Sequence, residues 1–267
     1  METARNYVVM FSSGAGSWAA ARAVVDRHGP KAVTLLFTDT AMEDEDNYRF
    51  LTEATADIGS ELVQLKDGRD VWDVFKDSRM IGNNRVSICS RILKQEPARK
   101  WLNANRNAEN TTVVVGIDWT EIHRLGAIQR AHDPYPVEAP LCQPPYRTRD
   151  SIFADLAARG IKRPRLYDMG FAHANCGGFC VRAGQGQFAQ LLREMPERYA
   201  YHEQREQDMR DYLGKDVSIM RDRTGGTTVP LTLRTFRERA ELDNTQIDMF
   251  DLGGCGCFTS DMGESSS

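Results

Sequence analysis

The chain has 267 residues, 41% of them hydrophobic and 27% charged, the makeup of an ordinary globular protein. Its 34 Lys+Arg against 38 Asp+Glu leave a net charge of −4, so no bulk positive field draws it to nucleic acid or to a membrane. No apolar run approaches the roughly 18–20 residues that cross a bilayer, and the first residues carry no signal-peptide pattern, so the expected location is the cytoplasm.

The first predicted element is a buried strand, Tyr7-Val8-Val9-Met10-Phe11. The loop Ser12-Ser13-Gly14-Ala15-Gly16-Ser17 follows, and a helical pattern runs from Trp18 to Val25. A small-residue turn of this kind presents backbone N–H groups at the positive end of a helix, where phosphate is stabilised. Gly14 and Gly16 allow close approach, and Ser12, Ser13 and Ser17 add hydroxyl donors. No Gly-Lys-Ser/Thr follows and G-x-G-x-x-G is missing, so neither a Walker loop nor a dinucleotide fingerprint is present. A glycine-rich turn without a ligand is the alternative.

Gly29-Pro30 stops the helix, and Val33 to Phe37 reads as a strand covered on both faces, ending at Thr38-Asp39-Thr40. The acidic run Glu43 to Asp46 opens a helix that Gly59 closes; acidic residues in a first turn suit the helix dipole, and no functional role is expected of them. Leu62 to Leu65 is a third strand and Val71 to Phe75 a short helix. Ser90 to Asn103 reads as a helix that Pro97 should kink or interrupt. Thr112 to Ile117 is a further strand, ending in the polar loop Asp118 to Arg124. Repeated β–α units with apolar strands imply an α/β fold, a Rossmann-like, mostly parallel sheet with helices on both faces. Ligands of such sheets bind beyond the strands' carboxyl ends, where the Ser12–Ser17 loop, Thr38–Thr40 and Gly116–Arg124 all fall.

Five prolines between Pro134 and Pro145 mark a change of character. Residues 1–137 are expected to form the nucleotide-binding domain, and residues 138–267 a helical, cysteine-rich C-terminal extension packed on it. In the latter, Thr148 to Arg159 is helical, two helical patterns flank Pro196, Thr224-Gly225-Gly226 marks a turn, and Thr232 caps a last helix to about Glu241. The Arg/Glu-rich stretch Glu197–Arg210 is expected to be a solvated helix face.

Six cysteines, Cys89, Cys142, Cys176, Cys180, Cys255 and Cys257, are not expected to be a disulfide framework in a cytosolic chain of this size. Soft thiolates in pairs beside glycines suit an iron–sulfur cluster or zinc, and free redox-active thiols are the alternative. Cys142 stands alone and is expected to be structural. Arg91 and Lys94 after Cys89, and Arg124 and Arg130 after Gly116, offer charge to a polyanion, with exposed helix charges the other account. His123 and His173 are expected to be structural, and Trp119 either stacks on a base or packs in the core.

In its order of motifs the chain resembles the phosphoadenylyl-sulfate (PAPS) reductase family of the adenine-nucleotide α-hydrolase or PP-loop superfamily, from about Val8 to Cys180. The Ser12–Ser17 loop corresponds to the PP-loop, and Thr38-Asp39-Thr40 to the segment facing adenosine. Gly116-Ile117-Asp118 with Glu121 and Arg124 is similar to the family's Gly-x-Arg…Glu-Ser…Arg loop, Asp118 standing where Arg is common. Glu138 to Leu141, Leu166-Tyr167, Gly170 and Asn175-Cys176 keep the order of its second half. The resemblance implies an enzyme that binds an adenine nucleotide, PAPS or ATP, through Ser12, Ser13, Gly14, Gly16, Ser17, Asp39, Arg91, Lys94, Gly116, Glu121 and Arg124. It further implies sulfur chemistry with a thiol or sulfur-donor protein as partner. A 4Fe–4S cluster would take Cys89, Cys176, Cys180 and Cys255, while Cys255 or Cys257 in a glycine-rich tail would suit a catalytic thiolate. Alternatives are an ATP-dependent sulfurtransferase modifying tRNA or DNA, and a non-catalytic nucleotide- or cluster-binding regulator. ATP-cleaving relatives carry Ser-Gly-Gly-x-Asp-Ser. Here Ser13 replaces the first Gly and Gly16 stands where Asp would be, so Mg²⁺ is implied only if ATP is cleaved.

Overall fold

A computed structural model describes residues 5–223 and 226–242. Among these, five parallel strands form one sheet: β1 (Asn6–Met10), β2 (Val33–Asp39), β3 (Glu61–Lys66), β4 (Thr111–Val114) and β5 (Val137–Glu138), in the order β3-β2-β1-β4-β5. Alternation along the strands supplies two cores. Val9, Leu35, Phe37 and Val114 face one side, with Trp18 and Val24 of α1 (Ala15–His28) and Phe50 and Ala54 of α2 (Glu45–Ile58). Val8, Met10, Leu36 and Val113 face the other, covered by α5 (Glu96–Asn105) and α6 (Leu125–His132). This is the expected α/β architecture, and the period-2 side-chain alternation is its cause.

The local signals act as expected in the first half. Gly59 closes α2 in the left-handed conformation at φ 73°, and Asp70 caps α3 (Val71–Ser78) by accepting from Trp72 and Asp73 N–H at 2.7 and 2.8 Å. The stretch around Pro97 is more than kinked. A short α4 (Ile88–Ser90) runs into a π turn over Arg91–Gln95, where Glu96 N–H reaches back five residues to Arg91 O, and α5 then starts with Pro97 in its first turn. Proline has no N–H to donate and its ring crowds the carbonyl four residues back, which the wider turn relieves. The brief β5 and α6 lacked a clear period in the sequence.

Beyond the sheet, α7 (Arg149–Ala158), capped by Thr148, packs Ile152 and Leu156 into the α1 core. A third core gathers α3, the short α8 (Arg165–Asp168), α9 (Gln185–Glu194), α10 (Pro196–Leu213) and α11 (Leu233–Glu241), beside an antiparallel pair, β6 (Met220–Asp222) and β7 (Val229–Leu231). Thr232 caps α11 as expected, while Thr224 and Gly225 of the predicted turn lie outside the described residues.

The Glu197–Arg210 stretch is not simply a solvated face. Tyr199, His202, Glu206 and Met209 recur at helical spacing and are buried. Glu206 Oε1 accepts from Ile219 N–H at 2.9 Å and Oε2 from Leu233 N–H at 2.6 Å, which ties the β6–β7 region and the start of α11 to α10. Burial pushes its carboxyl up from 4.5 to about 7. The folded chain therefore holds this proton where the unfolded chain has released it, and the stability it contributes at low pH is lost as pH rises from about 4.5 to about 7. Urea unfolding at about pH 5 and about pH 8 should show that decline in the native chain and a smaller one in Glu206→Gln. An identical pH slope in the variant would refute the assignment.

Candidate functional site

Strand order reverses at β1, with β2 and β3 on one side and β4 and β5 on the other, so a crevice opens between the ends of β1 and β4. Two glycines make it close. A Cβ on Gly16 would lie 2.9 Å from Gly116 O, and one on Gly116 would lie 2.8 Å from both Cα and N of Ser17. The two loops touch backbone to backbone. Gly14 is the N-cap of α1, Ser17 Oγ donates to Gly14 O at 2.8 Å and accepts Gly14 N–H at 3.3 Å, and Ser12 Oγ donates to Ser17 Oγ at 3.5 Å. Ser13, at φ 52°, is fully buried and its hydroxyl has no hydrogen-bond partner among the described residues.

The crevice encloses about 680 Å³ counted to its open mouth. Of the residues expected to bind nucleotide, it brings together Ser12, Gly14, Gly16, Ser17, Gly116, Glu121 and Arg124, with Tyr167, His173 and Asn175 added from the second half of the chain. Arg124 pairs with Glu121 within the 3-10 turn Trp119–Arg124. First-turn N–H groups of α1, two neighbouring hydroxyls and one arginine form a surface suited to an oxyanion.

Other expected binders stand elsewhere. Asp39 Oδ1 accepts from Ala41 N–H and Tyr48 O–H, both at 2.8 Å, and Oδ2 lies 3.7 Å from Lys66 Nζ. Burial and that carboxylate raise the Tyr48 phenol well above its ordinary range. Arg91 is paired with Glu96 at 2.7 Å, both half exposed. Arg130 is exposed in α6. Trp119 is 43% exposed and its ring lies 5.8 Å from that of Tyr146, so it is not a core residue. Cys142 is buried and donates its thiol to Asp118 O at 3.2 Å, the structural place expected of it.

Lys94 lines a second cavity, of about 440 Å³ to its mouth, together with Cys89, Cys176, Cys180, Arg182, Thr40 and Phe179. Cys89 thus lines the same cavity as the distant pair Cys176 and Cys180. The chain turns through left-handed φ values at Cys176 (53°), Gly177 (57°) and Gly178 (83°), which lets Cys176 and Cys180 face the same space. Burial pushes the Cys89 thiol up to about 11 and the Cys176 thiol well above its ordinary value, against the lowering pull of Lys94. Among the described residues no three or more His, Cys, Asp or Glu side chains stand as a group that could hold a metal ion. Thiolate is the donor type of an iron–sulfur cluster, which normally takes four, but as they stand Cys89, Cys176 and Cys180 do not form such a group. Cys255 and Cys257, expected as ligand or nucleophile, lie outside the described residues.

The acidic run 43–46 does more than serve a helix dipole, because it is buried against the second half of the chain. Glu43 Oε2 accepts Cys176 N–H at 2.7 Å, and Oε1 accepts Thr40 O–H at 3.3 Å and lies 3.6 Å from Lys94 Nζ. Asp44, which caps α2, takes two hydrogen bonds of 2.8 Å from Arg165, and Asp46 accepts Arg165 N–H at 2.7 Å. The segment from His173 to Asn175 walls the crevice and the segment from Cys176 to Cys180 walls the thiol cavity, so one strap serves both.

No protein-family model matches the chain, and no curated protein matches it. Among solved structures, PAPS reductase from Candida auris in a phosphate complex is similar over 63% of this chain and 80% of its own, at 15% identity and a TM-score of 0.45. NMN synthetase from Francisella tularensis is similar over 60% of this chain and 63% of its own, at 14% identity and a TM-score of 0.43. NH3-dependent NAD synthetase from Campylobacter jejuni, in complex with nitrate, is similar over 82% and 90%, at 14% identity and a TM-score of 0.43.

Proposed function

We propose that this chain is an enzyme of PAPS reductase type, which binds an adenine nucleotide in the β1–β4 crevice and carries out thiol-dependent sulfur chemistry on it. The observation that carries the proposal is the crevice itself, where Ser12, Gly14, Gly16, Ser17, Gly116, Glu121 and Arg124 meet at the sheet's switch point. The nucleotide's anionic end lies against the α1 N-terminus, where first-turn N–H groups and the Ser12 hydroxyl, turned from Ser17, donate and Arg124 offsets charge. A tail thiolate, Cys255 or Cys257, attacks the sulfur of the adenylyl-linked sulfate. An S–S bond forms as the S–O bond to the nucleotide breaks, and the electron pair leaves with the nucleotide phosphate. A second thiolate then attacks the cysteine sulfur of the S-sulfonated intermediate and expels sulfite, leaving a disulfide. Those two thiols supply both electrons, and a thiol-donor protein reduces the disulfide.

Where Cys257 is the attacking thiolate, the three cysteines of the second cavity, with Cys255 as the fourth ligand, would hold a 4Fe–4S cluster. Bound there, the cluster supplies electrostatic tuning of the neighbouring crevice through the shared strap. Anaerobic purification should yield on the order of four iron and four sulfide per chain, and Cys176→Ser should lose most of both. An iron-free chain would remove the cluster from the proposal, and full loading of Cys176→Ser would overturn the ligand set. In calorimetry PAPS should bind more tightly than ATP. Pyrophosphate release from ATP in the presence of a tRNA or DNA acceptor would favour a sulfurtransferase instead.

A further inference from the structure

Most polar side chains that line the β1–β4 crevice are engaged with another part of its wall. Glu121 and Arg124 answer each other's charge, Ser12 and Ser17 are bonded to one another, and the Tyr167 phenol accepts Ala15 N–H at 3.4 Å. His173 is different. It lines the same crevice, and its side chain makes no hydrogen bond, ion pair or ring contact among the described residues. The structural role expected from the sequence has no partner there to rest on.

The backbone on either side of it is fixed. Phe171, 3% exposed, donates its N–H to Leu166 O at 2.9 Å. Ala174, 1% exposed, accepts from Asn47 Nδ2 of α2, and Cys176 N–H is held by Glu43 at 2.7 Å. His173 thus sits between two buried anchors while its own side chain is only partly buried. A group carried on an anchored segment loses little freedom when it meets a ligand, which keeps the cost of binding low. The charge of the crevice points to the same residue. A polyanion entering it meets one arginine already paired with a carboxylate, so that pair adds no net charge. Imidazole offers one N–H donor when neutral, and two with a positive charge when protonated. Hydrogen bonds to an ionised oxygen are roughly twice as strong as those between neutral groups.

We infer that His173 is a further binding residue of this crevice, one that donates a ring N–H to a phosphate or sulfate oxygen of the bound nucleotide. The inference rests on the nucleotide-binding proposal above. Calorimetric titration of the full chain, of His173→Ala and of His173→Gln with PAPS, ATP and adenosine tests it. The side chain holds nothing else among the described residues, so both variants should unfold at the native temperature. His173→Ala should bind both phosphate-bearing ligands on the order of 10-fold more weakly, with adenosine affinity unchanged. His173→Gln keeps an N–H donor and should lose less. Unchanged PAPS and ATP binding in His173→Ala would overturn the inference, and equal losses in the two variants would remove the donor role. An equal loss of adenosine affinity, or a lowered unfolding temperature, would overturn it as a general structural effect. A native chain that binds neither PAPS nor ATP would instead refute nucleotide binding itself.

Discussion

Gly116→Ala is expected to lower stability by about 2–3 kcal/mol, as inserted volume in a packed place does, and to abolish nucleotide binding. Its Cβ would lie 2.8 Å from Ser17 Cα and N and 2.9 Å from Gly16 C, all backbone atoms that cannot rotate away. Relief requires the loop after β4 to separate from α1, which widens the crevice where the proposed function places the oxyanion. A loss of this size lowers the melting temperature by roughly 5–10 °C in a chain this long. The same substitution elsewhere should behave oppositely. A Cβ on Gly126, in α6, would meet only Arg130 Nη1 at 3.6 Å, so Gly126→Ala should gain about 0.5 kcal/mol from better helix propensity. Thermal unfolding and PAPS titration of both variants check this pair; a stable, nucleotide-binding Gly116→Ala chain would show that the two loops are not packed as described.

Glu43→Leu is expected to cost about 3–5 kcal/mol, the range for removing one partner of a buried ion pair. Glu43 and Lys94 side chains are 1% and 6% exposed, so water screens their attraction little. Leucine takes this carboxylate from Lys94 and leaves the Cys176 N–H without its acceptor. The strap between crevice and thiol cavity should loosen and, on the cluster proposal, iron loading should fall with it. Glu43→Gln, which keeps an acceptor for Cys176 N–H, should recover part of the loss. Urea unfolding gives the first quantity and metal analysis the second. A Glu43→Leu chain as stable as the native one would leave the buried pair without energetic weight.

Motifs carried by a few adjacent residues were legible before folding. The Ser12–Ser17 turn, the Gly59 stop and the Thr232 cap depend on local backbone chemistry, and each takes its expected place. Gly116, Glu121 and Arg124 were legible because a parallel sheet sends the ends of β1 and β4 to one rim. Lys94 was not, since a regular helical period from Cys89 does not foresee the π turn that carries it. Tyr167 was legible only as part of the Leu166-Tyr167 pair in the resemblance and not as a wall of the crevice, because its contact with the start of α1 joins residues 152 apart.

Apolar alternation and strand–helix order are sufficient to specify an α/β sheet, because burying one face of each element leaves few other arrangements. Which polar residues are buried is a different matter. Glu43, Asp44 and Glu206 look in sequence like any surface carboxylates, and only packing against segments distant in sequence gives them their partners. The same holds for the thiols. Cys89, Cys176 and Cys180 share a cavity because the sheet, the π turn and three left-handed residues bring them there. The cost of burying an unpaired polar group is a property of the folded neighbourhood, so the residue type alone does not encode it.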